Sequence, residues 1–251
     1  MTSYLVFVLI LYFRHKWCSL PHIANRGHIL NIERYDEAGI ISLNIGELSR
    51  PFQYQAGQYG YLRILGSGLP SEEHPFSFSS RSTQPDGTFQ LSIKAIGDYT
   101  TQLYERCVQG APVSFTGPYG QFVFHPNWYK KTLCIAGGVG ITPFLGIVEE
   151  MMAQNSSESV HLLWLCVREE DFFAGEMLQA VANKLENFTL ELIIDRRGEN
   201  ISPEKLKARV VEPGRSGLYV CAPPPLMKLV IRCAIAIDIP KKQIHHEAFS
   251  F

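Results

Sequence analysis

At 251 residues the chain can hold one large domain or two of roughly 120 residues each, and either size buries a sizeable core. Its composition, 46% hydrophobic and 19% charged with a net charge of −1, shows neither the basic excess of a nucleic-acid binder nor an acidic tail. The cysteines at 18, 107, 134, 166, 221 and 233 form no CxxC pair and no metal-ligand spacing. They read as reduced cytosolic thiols, so no disulfide framework, zinc site or iron–sulfur cluster is expected.

The chain opens on an apolar run, YLVFVLILYF at 4–13, followed by Arg14, His15 and Lys16. As a helix that run spans about 15 Å, half of a bilayer core of roughly 30 Å. A secretory signal carries its positive charges ahead of the apolar run, and here they follow it. A buried N-terminal element and an interfacial anchor both remain open. The favoured reading of residues 1–23 is the cytoplasmic end of a last transmembrane helix, with the rest of the membrane domain outside this chain.

From 24 to 126 the chain reads as strands. GIISLNI, GQYGYLRIL, HPFSFSS, FQLSIKAI and APVSFTGPYG are short β-branched or aromatic runs punctuated by Gly, Pro and Asp-Gly. Such a series predicts a small closed antiparallel barrel, with GDYTTQLYERC at 97–107 as its one helical insert. The rhythm changes near His125–Lys130. From 127 to 251, KTLCIAGG, VHLLWLCV, TLELIID and GLYVCAP are continuous apolar strands, as a parallel sheet covered on both faces requires. Helices are expected at 142–154, 171–186, 202–210 and 224–237. The alternation predicts a doubly wound, five-stranded parallel α/β domain after the barrel.

Three stretches carry chemistry. In IAGGVGITPFLGIV a strand ends, Gly137, Gly138 and Gly140 follow, and a helix starts at Thr142 and Pro143. Proline suits a first helical turn, the glycines allow close backbone approach, and the helix N-terminus offers N–H groups to a pyrophosphate. The spacing is not GxGxxG, so a tight turn without a ligand stays open. In YVCAPPPLMKLVI another strand ends at Cys221 before a proline-led helix, at the edge where open α/β sheets bind ligands. Cys221 alone reads equally well as a buried small residue. HPFSFSS interleaves aromatics with hydroxyls. That suits a core strand with a solvated serine face, or a strand lying along a planar ligand.

Taken in order, HPFSFSS, IKAIGDYT, GPYG, AGGVGITPF, CAPPPLM and HHEAFSF resemble the ferredoxin–NADP reductase superfamily, and within it the flavin dehydrogenase module of the NADPH oxidase and ferric reductase branch. The resemblance covers about residues 24 to 251. It implies FAD in the barrel, NADPH or NADH on the α/β domain, and hydride transfer between them. It would lay Phe76 on the isoalloxazine and Ser77 near its N5. His74, beside Pro75, would lie near the ribityl chain and phosphates where plant-type relatives carry arginine, and Ser80 would extend the same strand.

Lys94 with its neighbours Ile93 and Ala95, then Gly97, Thr100 and Thr101, would complete the flavin site. Gly137, Gly138, Val139, Gly140, Thr142, Pro143, Cys221 and Pro223 would hold the dinucleotide, with Ala222 where relatives usually have glycine. Ser77, Cys221 and Phe251 are the residues set beside the reacting rings. Phe251 would cover the flavin, with Phe249 as the alternative. Arg196, and secondarily Arg168, are the candidates to read a 2′-phosphate. Asp195 stands where NADPH users tend to have serine and suits a free ribose hydroxyl, so both cofactors stay open.

The expected function is an NAD(P)H:FAD oxidoreductase at the cytoplasmic face of a membrane. It would pass single electrons to haem in transmembrane helices outside this chain, and on to dioxygen or ferric iron. The alternatives are a soluble flavin reductase serving a separate oxygenase or globin, and a non-catalytic electron-carrier docking module.

Overall fold

The computed structural model describes residues 24–248 apart from 67, 83, 85, 86, 126, 127, 155 and 211. The apolar stub at 1–23, Phe249 and Phe251 therefore lie outside the described residues. Among the described residues, no helix is long and apolar enough to cross a membrane.

Six antiparallel strands form the first unit: β1 (Asn25–Tyr35), β2 (Ile40–Gly46), β3 (Tyr59–Ile64), β4 (His74–Ser77), β5 (Phe89–Lys94) and β6 (Pro112–Tyr119). Their order is β4-β3-β6-β1-β2-β5. The two outer strands meet through an antiparallel bridge between Phe78 and Leu91, and the Ser79 N–H donates to the Gln90 carbonyl at 2.8 Å. The barrel is thereby closed, which leaves its apolar side facing inward and removes the free edges.

Phe78, Phe89 and Phe115 are buried in its core around Phe52, whose ring meets Phe115 edge-on at 5.0 Å. Ser79 lies one residue past Phe78 and is also buried. Its hydroxyl bonds Ser92 at 3.0 Å, which bonds Ser42 at 2.8 Å. The Ser79 hydroxyl is thus satisfied by Ser92 of β5 inside the wall rather than by solvent. β1 is not among the runs that the sequence marked. Its burial alternates only over its first half, because the strand curls from β6 onto β2. Helix α1 (Asp98–Arg106) is the expected insert.

The second unit is a five-stranded parallel sheet of β7 (Lys131–Gly137), β8 (Ser159–Cys166), β9 (Phe188–Ile194), β10 (Ser216–Ala222) and β11 (Ile244–Ala248) in the order β11-β10-β7-β8-β9. Side chains alternate across it. Cys134, Ala136, Leu162 and Trp164 pack on one face with α2 (Thr142–Gln154) and α3 (Gly175–Lys184). Leu133, Ile135, Leu163 and Leu165 pack on the other with α4 (Pro203–Lys207) and α5 (Pro224–Ala236). α3 begins later than the expected 171, because the chain first makes a 3₁₀ turn at Glu169–Asp171. α4 is shorter than 202–210, held at its start by the Ser202 hydroxyl, which accepts from the Lys205 N–H at 3.2 Å.

The two units share a seam. Phe122, after β6, packs edge-on against Phe144 of α2 at 5.8 Å. Glu149 accepts from the Arg81 N–H, and Glu150 accepts from the Ser82 N–H, each at 3.0 Å. Tyr54 donates to the Arg81 carbonyl at 2.6 Å. The end of the HPFSFSS segment is therefore gripped by the helix that starts at the glycine turn.

Candidate active site

A cleft of about 610 Å³ opens between the units. β4 supplies His74, Pro75, Phe76 and Ser77, and β5 with the following loop supplies Ile93, Lys94 and Gly97. Thr100 enters from α1, and Val139 and Thr142 enter from the far side. These expected residues are brought together. Ser80, Ala95, Thr101, Gly137, Gly138, Gly140, Pro143, Arg168, Arg196, Cys221 and Pro223 do not line the cleft.

Ser80 lies at the seam, where its hydroxyl is shared between Tyr54 at 2.8 Å and the Gln90 N–H at 2.9 Å. The resemblance extends the flavin strand to this residue, and its hydroxyl is engaged in these internal bonds. The Ala95 N–H is bonded to the Gly39 carbonyl at 2.8 Å, and the Thr101 N–H to that of Gly97 at 2.9 Å.

The barrel wall is aromatic. The register of β3 on β4 sets Tyr59 against Ser77 and Tyr61 against Pro75, so two tyrosines of one strand face enter the cleft. His74 stacks on Tyr99 at 3.8 Å with its Nε2 3.0 Å from Glu72. At the start of α1 the Thr100 hydroxyl accepts from the N–H groups of Ile96 and Gly97 at 3.0 Å each. That bond closes the loop, and the first-turn amides of Asp98, Tyr99 and Thr100, which have no intrahelical acceptor, remain to receive an anion. The Asp98 carboxylate opposes an anion at the same helix end.

The parallel sheet changes winding direction between β7 and β10, and ligands of such sheets bind at the carboxyl ends of those two strands. Both glycine- and proline-rich motifs fall there. Gly140 lies so close to β10 that a Cβ on it would come within 2.1 Å of the Cys221 carbonyl oxygen. The turn is held from below by the Trp164 indole N–H, which donates to the Gly138 carbonyl at 2.9 Å. Ala222 is fully buried against Gly137, so its extra methyl does not narrow the cleft. Cys221 is also fully buried, and burial followed by the nearby Glu247 carboxyl holds its thiol well above the ordinary range. A protonated, enclosed thiol makes no nucleophile.

Of the three cations expected to meet ligands, Lys94 lines the cleft with its Nζ 2.7 Å from Asp171, and Arg168 meets the same carboxylate oxygen at 3.0 Å. Arg196 is exposed, with its Nε 3.4 Å from the Val167 carbonyl. Asp195 caps its own turn by accepting from the Glu199 N–H at 3.0 Å.

Glu247 is the residue that sequence reasoning passed over. It sits on β11 opposite Cys221, lines the cleft, and has a buried carboxyl oxygen without a hydrogen-bond partner. Burial pushes its pKa up to about 7. Its presence in HHEAFSF was visible, but only the parallel pairing of β11 with β10 carries it to the cleft.

These residues fit a flavin. The cleft has the size of a cofactor site, flat aromatic walls for a planar ring, a buried hydroxyl at Ser77 for its polar edge, and a helix N-terminus for a diphosphate. Replacing Phe76 by Ala should weaken FAD binding by about 1–3 kcal/mol through lost ring contact. Titration of the flavin-free variant with FAD by fluorescence quenching checks this, and unchanged affinity would remove Phe76 from the site.

Comparison with known proteins agrees with this geometry. Residues 25–137 match the FAD-binding domain family and residues 134–232 the oxidoreductase NAD-binding domain family. The toluate 1,2-dioxygenase electron transfer component of Pseudomonas putida is 25% identical over 93% of this chain and 70% of its own length. The propane 2-monooxygenase reductase component of Rhodococcus jostii is 26% identical over 84% of this chain and 60% of its own length. The chain thus spans between three-fifths and seven-tenths of these relatives. A ferredoxin NADP+ reductase from Neisseria gonorrhoeae shares the fold with a TM-score of 0.75 at 19% identity, covering 90% of this chain and 98% of that one.

Barrel, parallel sheet and paired domain families define an FAD-dependent NAD(P)H oxidoreductase. The chain belongs to the ferredoxin–NADP reductase superfamily. The NADPH oxidase and ferric reductase branch is not what these relatives represent, since they are components of oxygenase systems.

Proposed function

We propose that this chain is the reductase module of an oxygenase-type electron-transfer system, accepting hydride from NAD(P)H and delivering single electrons to a separate protein. The supporting observation is the likeness to oxygenase electron transfer and reductase components over 84% to 93% of the chain. It favours a separate acceptor over haem in membrane helices, and an active enzyme over a silent docking module. Residues 24–126 would form the flavin unit and 127–251 the nucleotide unit.

Bound FAD would supply the exchange between two-electron and one-electron chemistry. The protein's part is placement. Phe76, Tyr59 and Tyr61 would wall the ring, Ser77 would bond its polar edge, and Val139 and Thr142 would meet the nicotinamide from across the cleft. No side chain needs to act on the hydride itself, because transfer depends on holding two rings in contact. Glu247 would hold a proton at the cleft wall, with a pKa near working pH.

The test is reduction of soluble one-electron acceptors, ferricyanide and a [2Fe–2S] ferredoxin, by the FAD-loaded protein with NADPH or NADH. Turnover without membranes or detergent is expected. Turnover only after addition of haem-containing membranes would restore the membrane reading.

A further inference from the structure

The 3₁₀ turn after β8 carries a buried acid that the cofactor contacts above leave unused. The Asp171 side chain is 7% exposed, and a single oxygen, Oδ1, receives Lys94 at 2.7 Å and Arg168 at 3.0 Å. Lys94 ends β5 and lines the flavin side of the cleft. Arg168 stands just past the carboxyl end of β8, on the nucleotide sheet. Its Nη2 also reaches the Glu37 carbonyl, in the β1–β2 turn of the barrel, at 3.4 Å. Phe173, two residues on, meets Tyr35 of β1 edge-on at 5.1 Å.

Residues 168–173 therefore touch the barrel on β1, on the β1–β2 turn and on β5, with one carboxylate joining the cations. Burial raises the Asp171 carboxyl, but the bonds from Arg168 and Lys94 outweigh it and keep it ionised, below the usual carboxylate range. Asp171 and Lys94 are largely shielded from water, so their pairing is weakly screened, whereas the half-exposed Arg168 side chain pairs from the solvent side.

We propose that Asp171 is a positioning residue for hydride transfer: by holding Lys94 from the flavin side and Arg168 from the nucleotide side on one carboxylate, it sets the separation of the two ligand edges. Displacement by one ångström can cost a reaction between two bound rings about a hundredfold. The carboxylate is better suited to this than a neutral amide, because two cations can share its charge and its short bonds to both. The proposal rests on the oxidoreductase reading and concerns only how its two halves are aligned.

The experiment is stopped-flow bleaching of the flavin in FAD-loaded protein by NADPH or NADH. In Asp171→Asn the limiting rate should fall about tenfold or more, while the half-saturating nucleotide concentration stays within about threefold and flavin content is unchanged. A limiting rate within about twofold of the parent, or a loss carried by nucleotide affinity or flavin content instead, would overturn the proposal. If Asp171→Asn does not fold, Asp171→Glu keeps the charge on a longer arm. That variant should show a lowered limiting rate with nucleotide affinity kept, and a parent-like rate would count against positioning. A parent protein that neither nucleotide reduces would count against the oxidoreductase reading instead.

Discussion

Gly140→Ala should slow flavin reduction by NAD(P)H by about a hundredfold while leaving FAD bound. The new Cβ would lie 2.1 Å from the Cys221 oxygen and 2.7 Å from its carbonyl carbon. Both are backbone atoms of a central strand, so neither can swing aside. The glycine turn must lift from β10, at the point where the sheet's winding reverses and the two strand ends form a ligand crevice. Overpacking of this kind costs about 1–3 kcal/mol of stability, enough to be seen in a denaturant midpoint without unfolding the chain. The barrel contributes nothing to the clash, so its flavin should remain. Absorbance of the purified variant, followed by stopped-flow reduction, separates the two effects. Parent-like reduction would show that the turn does not take part in nucleotide binding.

Glu247→Gln should stabilise the flavin-free protein at pH 8 by about 1–3 kcal/mol and have almost no effect at pH 4. The carboxyl titrates near 7 in the folded chain, against an ordinary value of 4.5. Between those values the folded state holds a proton that the unfolded state has released, so rising pH through that window favours unfolding. Above 7 the folded chain must carry a half-buried charge without a hydrogen-bond partner. Glutamine copies the protonated acid in shape and removes the penalty. Denaturant melts at the two pH values give the comparison, and equal stability at pH 8 would place Glu247 in contact with water.

Most of the architecture was legible because it follows from local patterns. Apolar strands with helical intervals indicate a parallel sheet, and short punctuated strands indicate a barrel. The glycine turn and the proline-led helix were legible because both mark strand ends, and their meeting follows from sheet order. β1 was missed because its alternation fades halfway along.

The site was less legible. Tyr59 and Tyr61 enter it through the β3–β4 register, and Glu247 enters through β11. Lys94, expected to complete the flavin site, pairs with an acid 77 residues later in the chain. Such long-range partners leave no mark on the surrounding sequence. Phe76 and Phe78 show the limit of a two-residue period. The first borders the cleft and the second is wholly within the core, because the wall bends between them to close the barrel.

The grip of α2 on the barrel has an evolutionary consequence. Glu149 and Glu150 hold the main-chain N–H groups of Arg81 and Ser82, and Tyr54 holds the Arg81 carbonyl. Main-chain groups are present whatever residue occupies a position. Sequence at 81 can drift without loosening this attachment, so long as the loop keeps its path and the helix keeps its acids. The attachment therefore depends on the acids at 149 and 150 and on the path of the loop, and not on the side chain at 81.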